Sequence, residues 1–168
     1  MDFIEYDIEN DDGRNEYETY IFAKATSIIR NYSSQYWRNI PNLNNYTNIV
    51  EINCHGSFIS DFKSDFSFLP SKLKKLDCSN NALTTLRNLP DTLEELDCSY
   101  NLLTQCDNLP PMLIKFNCKC NKITALPANL PPHIKYLNCS YNKITTKPNF
   151  PITISIENLD DSNNIYNT

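Results

Sequence analysis

The chain has 168 residues, of which 40% are hydrophobic and 21% are charged, and its formal net charge at pH 7 is −5. This length is typical of a single domain. Only two glycines occur, which excludes glycine-rich phosphate-binding loops, and no apolar run is long enough to cross a membrane. The acidic start is unlike a signal peptide. We expect no cofactor, no nucleic-acid partner and no membrane partner.

The N-terminal residues 1–19 are strongly acidic. Residues 1–20 carry eight acidic residues and one arginine, a balance of −7. Residues 2–8 and 17–22 flank an Asn-Asp-Asp-Gly sequence at 10–13, which is typical of a hairpin turn. The composition is equally typical of a disordered acidic tail, so both interpretations stay open.

Residues 20–48 form a second N-terminal stretch, in which apolar residues recur at helical spacing. These residues are Ile21, Ala25, Ile28, Ile29, Tyr32 and Tyr36. The spacing predicts an amphipathic α-helix from about Tyr20 to Trp37, which should end before Pro41. We expect this helix and its linker to cap the open N-terminal edge of the repeats that follow. The alternative is a separate helix that binds a partner.

From residue 49 to residue 168 the sequence consists of about six repeats. A Leu-Pro pair, or Phe-Pro in the last copy, returns at spacings of 20, 20, 21 and 20 residues. Each Leu-Pro pair precedes Leu-x-x-Leu-x-Cys-x-x-Asn-x-Leu, with Phe or Ile at some leucine positions. Near-complete copies begin at Leu73, Leu93, Leu113 and Ile134, a weaker copy at Ile49 and a decayed copy at Ile156. A fixed period near 20 residues predicts a solenoid of stacked coils.

Within each copy the apolar and cysteine positions alternate with polar residues, which is the pattern of a half-buried β-strand. We expect these strands to stack as a parallel sheet on the concave face, with extended, polyproline-like segments on the convex face. Buried amides must bond to backbone groups, so the repeated asparagines predict an Asn ladder at Asn81, Asn101, Asn121 and Asn142. The inward cysteines predict a Cys ladder at Cys54, Cys78, Cys98, Cys118 and Cys139.

The repeat resembles the short leucine-rich repeats of bacterial effectors of the YopM and IpaH type. Its cysteine is similar to that of related repeats in amoebal and giant-virus proteins. The resemblance covers roughly residues 49–166 and implies a leucine-rich-repeat solenoid. Effectors of the IpaH type add a C-terminal ubiquitin-ligase domain. The sequence stops at residue 168, and we expect no such activity.

The seven cysteines are spaced for a packed column rather than for disulfides or zinc. Neighbouring ladder cysteines have parallel Cβ vectors, and a zinc site needs four gathered ligands. We expect no metal site and reduced thiols that pack as small apolar groups, which is typical of the cytoplasm. The resemblance to effectors further implies delivery into, or expression in, a host cell. Cys120 lies outside the ladder and is either packed or exposed.

The sequence contains no recognisable catalytic set, and we expect no enzymatic activity. His55 directly follows Cys54, so in a strand their side chains point to opposite faces and cannot form a nucleophile–base pair. The other histidine, His133, lies in a Pro-Pro-His turn.

Two outward columns of the predicted sheet carry charges. Asp77 and Asp97 share one column with several asparagines, which we interpret as a ladder of side-chain-to-side-chain hydrogen bonds. The other column reads Glu51, Lys75, Glu95, Lys115 and Tyr136. Its alternation of sign places opposite charges side by side and favours correct register.

Charge is unevenly distributed along the repeats. Between Asp107 and Glu157 there is no acidic residue but there are six lysines. This asymmetry predicts that a protein partner binds the C-terminal half of the concave face. The partner should be acidic at its own contact patch. The predicted contact residues are Glu95, Tyr100, Lys115, Lys119, Lys135, Tyr136 and Tyr141. Alternatively, the lysines only solvate the surface and the tyrosines only cover strand ends.

A second functional class is a structural component, for example of a virus particle, which packs against copies of itself. The acidic N-terminal end and the basic C-terminal repeats would then meet head to tail in a homo-oligomer.

Overall fold

The computed structural model describes residues 3–5, 27–29, 42–56, 65–147, 150 and 157–166. This part of the chain contains eight three-residue strands, namely β1 (Phe3–Glu5), β2 (Ser27–Ile29), β3 (Glu51–Asn53), β4 (Lys75–Asp77), β5 (Glu95–Asp97), β6 (Lys115–Asn117), β7 (Tyr136–Asn138) and β8 (Asn158–Asp160). They form one parallel sheet in chain order, in which each strand pairs with the next. The predicted solenoid with a parallel sheet is therefore confirmed.

The sheet is held in register by a column of buried apolar side chains. The middle residues of β3 to β7 are paired across neighbouring strands and are all buried, namely Ile52, Leu76, Leu96, Phe116 and Leu137. Side chains alternate between the two faces of a strand, so the flanking residues face outward. Each fully buried leucine contributes about 1.5–3 kcal/mol of transfer free energy, and a slip by one residue would expose the whole column.

The return segments between β4 and β7 are built from turns, bends and extended chain. No helix occurs among the residues that the structure describes. Within the same ranges, no helix is long and apolar enough to cross a membrane.

The predicted N-terminal helix is wrong over residues 27–29, because these residues form β2. Ile28 pairs with Ile4 on one side and with Ile52 on the other, so the sheet begins well before residue 49. Tertiary pairing here overrides a local apolar spacing that resembles a helix. The rest of the predicted helix, and the turn proposed at residues 10–13, lie outside the described residues.

A left-handed residue follows the strand in each described coil from β3 to β8. These residues are Gly56 (φ 63°), Asn80 (φ 53°), Tyr100 (φ 54°), Cys120 (φ 53°), Tyr141 (φ 55°) and Asn163 (φ 56°). The left-handed region costs a side-chain-bearing residue roughly 1–2 kcal/mol, so the coil geometry must offset this strain. The turn directs the next residue inward, and from the coil of β4 onward that residue is an asparagine of the ladder.

The strands end in turns closed by a side chain. Asp97 Oδ1 accepts hydrogen bonds from the Ser99 amide at 2.9 Å and from its hydroxyl at 2.6 Å, and Asn138 caps Ser140 in the same way. The shared column of Asp77 and Asp97 predicts side-chain bonds between coils. One such bond is present, from Asn117 Nδ2 to Asp97 Oδ2 at 2.8 Å. Most of the column instead closes local turns, for which Asp and Asn side chains have the required reach.

Candidate functional site

The Asn ladder ties neighbouring coils together through backbone groups. Asn101 Nδ2 donates to the carbonyl oxygens of Cys78 at 3.1 Å and of Cys98 at 3.0 Å, while its Oδ1 accepts from the Leu83 amide at 2.9 Å. The same arrangement recurs at Asn121 and Asn142. Asn81 donates to the carbonyl oxygens of two coils, and the decayed last repeat continues the ladder with Asn164. Each amide therefore satisfies groups of two coils.

The cysteine side chains form a buried core column with no disulfide. All seven cysteines are free, and six of them are buried. Burial raises the pKa of the Cys98 and Cys118 thiols well above the ordinary value, and it raises that of Cys106 to about 12. The remaining cysteine, Cys120, is partly exposed. The column is therefore unreactive packing, and Cys120 is the accessible thiol.

A shallow groove of about 480 Å³ runs along the outward face of the sheet from β3 to β7. Charges along this groove are largely paired with one another. Glu95 lies between Lys75, at 3.6 Å, and Lys115, at 3.2 Å. These pairs are substantially exposed to solvent, so each contributes little to stability. Glu95 and Lys115, both predicted as contact residues, therefore engage each other.

Lys135, another predicted contact residue, lies just before β7 rather than in the strand column. Its Nζ is 3.0 Å from Glu157 Oε1 in an exposed ion pair. Three coils earlier, between the coils of β4 and β5, Lys74 and Glu94 make the equivalent contact at 2.6 Å. Lys135 is thus already paired, whereas Tyr136 lines the groove.

The structure brings Tyr100, Lys119 and Tyr141 together at the end of the strands, in what we call the tyrosine–lysine cluster. Lys119 Nζ lies 5.9 Å from the centre of the Tyr100 ring and 5.3 Å from that of Tyr141. Both tyrosines are 52% exposed. Cys120 belongs to the middle coil of the three, between the tyrosine coils.

The ammonium group of Lys119 makes no ion pair with a described residue. The nearby carboxyl group of Asp160 is stabilised mainly by other groups. Hydrogen bonds from the Ser162 hydroxyl and amide lower the pKa of Asp160, and Lys119 makes the smallest contribution. An unpaired cation against two aromatic faces is a preorganised contact for an anionic group.

His55, which was considered above only with Cys54, contacts a serine of the next coil. His55 Nδ1 is 2.7 Å from Ser79 Oγ, whose hydroxyl donates to Asp77 Oδ1 at 2.5 Å. This order differs from a nucleophile–base–acid relay, because the serine sits between the histidine and the carboxylate. Ser79 is also only 5% exposed. Within the described part of the chain, no group of three or more metal-binding side chains could hold a metal ion.

The parallel sheet in chain order, the Asn ladder and the left-handed turns define a leucine-rich-repeat solenoid. Solved structures of this class are similar to the chain. A leucine-rich-repeat domain of a Shigella effector is 32% identical, with a TM-score of 0.59, and the match covers 67% of this chain and 48% of that one. The chain is thus a leucine-rich-repeat protein similar to effectors of the YopM type, which confirms the predicted resemblance.

Two structures of YopM itself match over more of this chain. YopM from Yersinia pestis is 26% identical, with a TM-score of 0.63, over 86% of this chain and 44% of YopM. YopM from Yersinia enterocolitica WA-314 is 24% identical, with a TM-score of 0.60, over 84% of this chain and 34% of YopM, and it supports the fold alone. The chain spans less than half the length of these three proteins. No protein-family model and no curated protein matches it.

Proposed function

We propose that this chain is a protein-interaction module whose main contact surface is the tyrosine–lysine cluster. The observation that carries the proposal is the unpaired Lys119 ammonium between two half-exposed tyrosine rings. Similarity to leucine-rich-repeat effectors supports the general role of binding another protein. Aromatic residues beside a charge make strong anchors because they bury a large area at small entropic cost.

The partner presents a carboxylate or another anionic group to Lys119. The described residues place no acidic side chain in an ion pair with this lysine, whereas Lys115 and Lys135 already have carboxylate partners. The two paired lysines therefore act as a rim, together with Glu95, and Tyr136 extends the contact into the groove. Rim charges change the association rate and its salt dependence more than the final affinity.

Affinity capture from an extract of the native host, with wild-type protein and two matched variants, tests this proposal. The cluster variant carries Tyr100→Asn, Lys119→Ser and Tyr141→Asn. Asn80 and Ser79 occupy the corresponding positions of another coil, so the fold should tolerate these side chains.

The control variant carries Lys122→Ser and Lys143→Ser at exposed lysines outside the cluster. The proposal predicts a protein that the wild type and the control retain and the cluster variant loses. Equal retention by all three would place the interface elsewhere.

The charge distribution argues against the alternative of a self-assembling structural component. Residues 1–20 carry a balance of −7, and residues 157–168 contain three acidic and no basic residues. Head-to-tail stacking would therefore bring two acidic ends together rather than opposite charges. We expect a monomer at all concentrations in sedimentation at low salt, and reversible association there would instead favour the structural role.

We further infer a reducing compartment, such as the cytoplasm, because the buried free thiols form a continuous core column. The repeat domain on this account includes β1 and β2 and thus begins before residue 49. An N-terminal segment that covers the first strand remains part of the proposal, since a solenoid needs its apolar edge covered.

A further inference from the structure

The last strand of the sheet, β8, exposes an apolar side chain whose equivalents in strands β3 to β7 are all buried. Leu159 is 44% exposed, whereas its neighbour in the same column, Leu137, is 0% exposed. One position of the core column is therefore exposed at this end of the stack.

The backbone of β8 also has hydrogen-bonding groups that point away from the sheet. Asn158 N–H donates to the Lys135 carbonyl oxygen, and the Asp160 carbonyl oxygen accepts from the Cys139 amide. In a parallel ladder alternate residues face opposite neighbours, so the N–H and C=O of Leu159 face away from β7. No ninth strand pairs with them among the described residues. Such an edge is a template for another strand.

The charge at this edge selects the kind of strand that fits. Glu157, Asp160 and Asp161 lie within two residues of Leu159 in the sequence, and residues 157–168 contain no basic side chain. Lys135 pairs with Glu157, which leaves the carboxylates of Asp160 and Asp161 without an ion pair to a described residue. A second copy of this chain is a poor occupant, because pairing of two such edges would bring like charges together.

We propose that β8 is a docking edge for an extended segment of a partner protein with a basic-apolar-basic pattern. The apolar residue covers Leu159, and the basic residues lie beside Asn158 and Asp160 on the outward face. This surface adjoins the tyrosine–lysine cluster, because Asp160 lies near Lys119, but the proposal stands on its own observations. The main-chain bonds supply affinity, and the alternating side chains supply specificity.

A short synthetic peptide of alternating lysine and valine, compared with one of alternating glutamate and valine, tests the proposal. We expect the lysine peptide to bind at least roughly tenfold tighter, because only it complements the acidic edge. Hydrogen exchange locates the site, and the Leu159 amide should become protected when the lysine peptide is bound. Equal affinity for both peptides, or protection elsewhere without protection at Leu159, would overturn the proposal.

Two variants separate specific docking from general attraction. Asp160→Asn with Asp161→Asn removes the charge but keeps the turn, because Asn138 caps Ser140 just as Asp160 caps Ser162. This variant should lose at least roughly tenfold in affinity for the lysine peptide. Leu102→Lys, at an exposed apolar residue in another coil, should bind like the wild type. Unchanged binding by the charge variant, or protection of Leu159 by self-association alone, would contradict a basic partner strand.

Discussion

A single ladder asparagine bonds buried backbone groups of two neighbouring coils. Loss of the Asn101 amide leaves the buried Leu83 amide without its acceptor. It also removes one of the two asparagine donors to each of the Cys78 and Cys98 carbonyl oxygens, which keep their bonds to Asn81 and Asn121. Leaving a buried polar group without a partner costs more stability than the net contribution of a typical hydrogen bond. The Asn ladder is therefore the residue-scale basis of coil stacking.

Asn101→Ala should lower the free energy of unfolding by about 1–3 kcal/mol. Urea denaturation of the whole chain measures this change. Asn129→Ala is the control, because Asn129 is exposed and lies outside the ladder. Asn108 is unsuitable as a control, since its φ of 57° makes alanine strained there. Equal losses for the 101 and 129 variants would mean that the ladder does not hold the coils.

Serine in place of a buried cysteine buries a hydroxyl group. The loss of stability should be smaller where a hydrogen-bond acceptor lies within reach of that hydroxyl. Cys98 Sγ lies 3.4 Å from the Asn117 carbonyl oxygen, whereas no acceptor among the described residues bonds Cys118 Sγ. Cys118→Ser should therefore cost about 1–3 kcal/mol, and Cys98→Ser should cost less. Cys120→Ser, at a partly exposed site, should be nearly neutral in the same denaturation experiment. The reverse order would rule out this account of the column.

The buried thiols also predict a loss of stability at alkaline pH. Burial raises the folded-state pKa of Cys106 to about 12, from an ordinary value of 9.0. Between these values the unfolded chain loses the proton and the folded chain keeps it, so stability falls as pH rises. Each such thiol contributes a slope of about 1.4 kcal/mol per pH unit.

Denaturation midpoints between pH 8 and pH 11 measure this slope. Cys106→Ala should make it shallower than in the wild type. Identical slopes in the two proteins would assign the alkaline loss to other groups.

At the scale of strands and turns, the repeated left-handed position controls which residues each coil tolerates. Tyr141→Asn should be close to neutral, because Asn80 and Asn163 hold the same backbone conformation elsewhere in the stack. Tyr141→Val should cost roughly 1–2 kcal/mol more, since a β-branched side chain clashes at positive φ. Thermal unfolding of the two variants measures the difference. A valine variant as stable as the asparagine variant would be incompatible with this turn.

Strands β3 to β8 could be predicted from the sequence because each carries the same alternation and the same inward asparagine or a close substitute. Strand β2 could not be predicted in this way, because its coil lacks the two most distinctive residues of the repeat. It has Arg30 in place of the cysteine and Ser33 in place of the asparagine. The middle residues of the first four strands, from Ile4 to Leu76, recur every 24 residues, and this period was the available signal.

The candidate site was only partly predictable for a different reason. Spacing placed Tyr100 and Tyr141 at equivalent positions, but it gave no sign of their positive φ, because tyrosine has no preference for it. The Asp-x-Ser turns at Asp77 and Asp97 were readable in the sequence, since such side chains commonly close turns. Which lysines are paired depends on side-chain packing between coils, which the spacing alone does not determine.

At the scale of the whole molecule, the stack combines a central groove of paired charges with two chemically distinct surfaces. Charges in the middle of the sheet largely neutralise one another, as at Glu95. The tyrosine–lysine cluster presents an unpaired cation, and the last strand presents acidic groups around exposed Leu159. The cluster favours an anionic group, and the β8 edge favours a basic one. One partner protein with both charges could bind both surfaces, or two partners could bind side by side.

The most direct test of the central claim uses Cys120 as a reporter, because it is the accessible thiol and lies between the two tyrosine coils. The measurement is the rate at which iodoacetamide alkylates Cys120, with and without the protein captured from the host. The account predicts that this protein slows alkylation at least roughly tenfold and binds the cluster variant more weakly by about 2 kcal/mol or more. Full binding with an unchanged rate of Cys120 alkylation would contradict it.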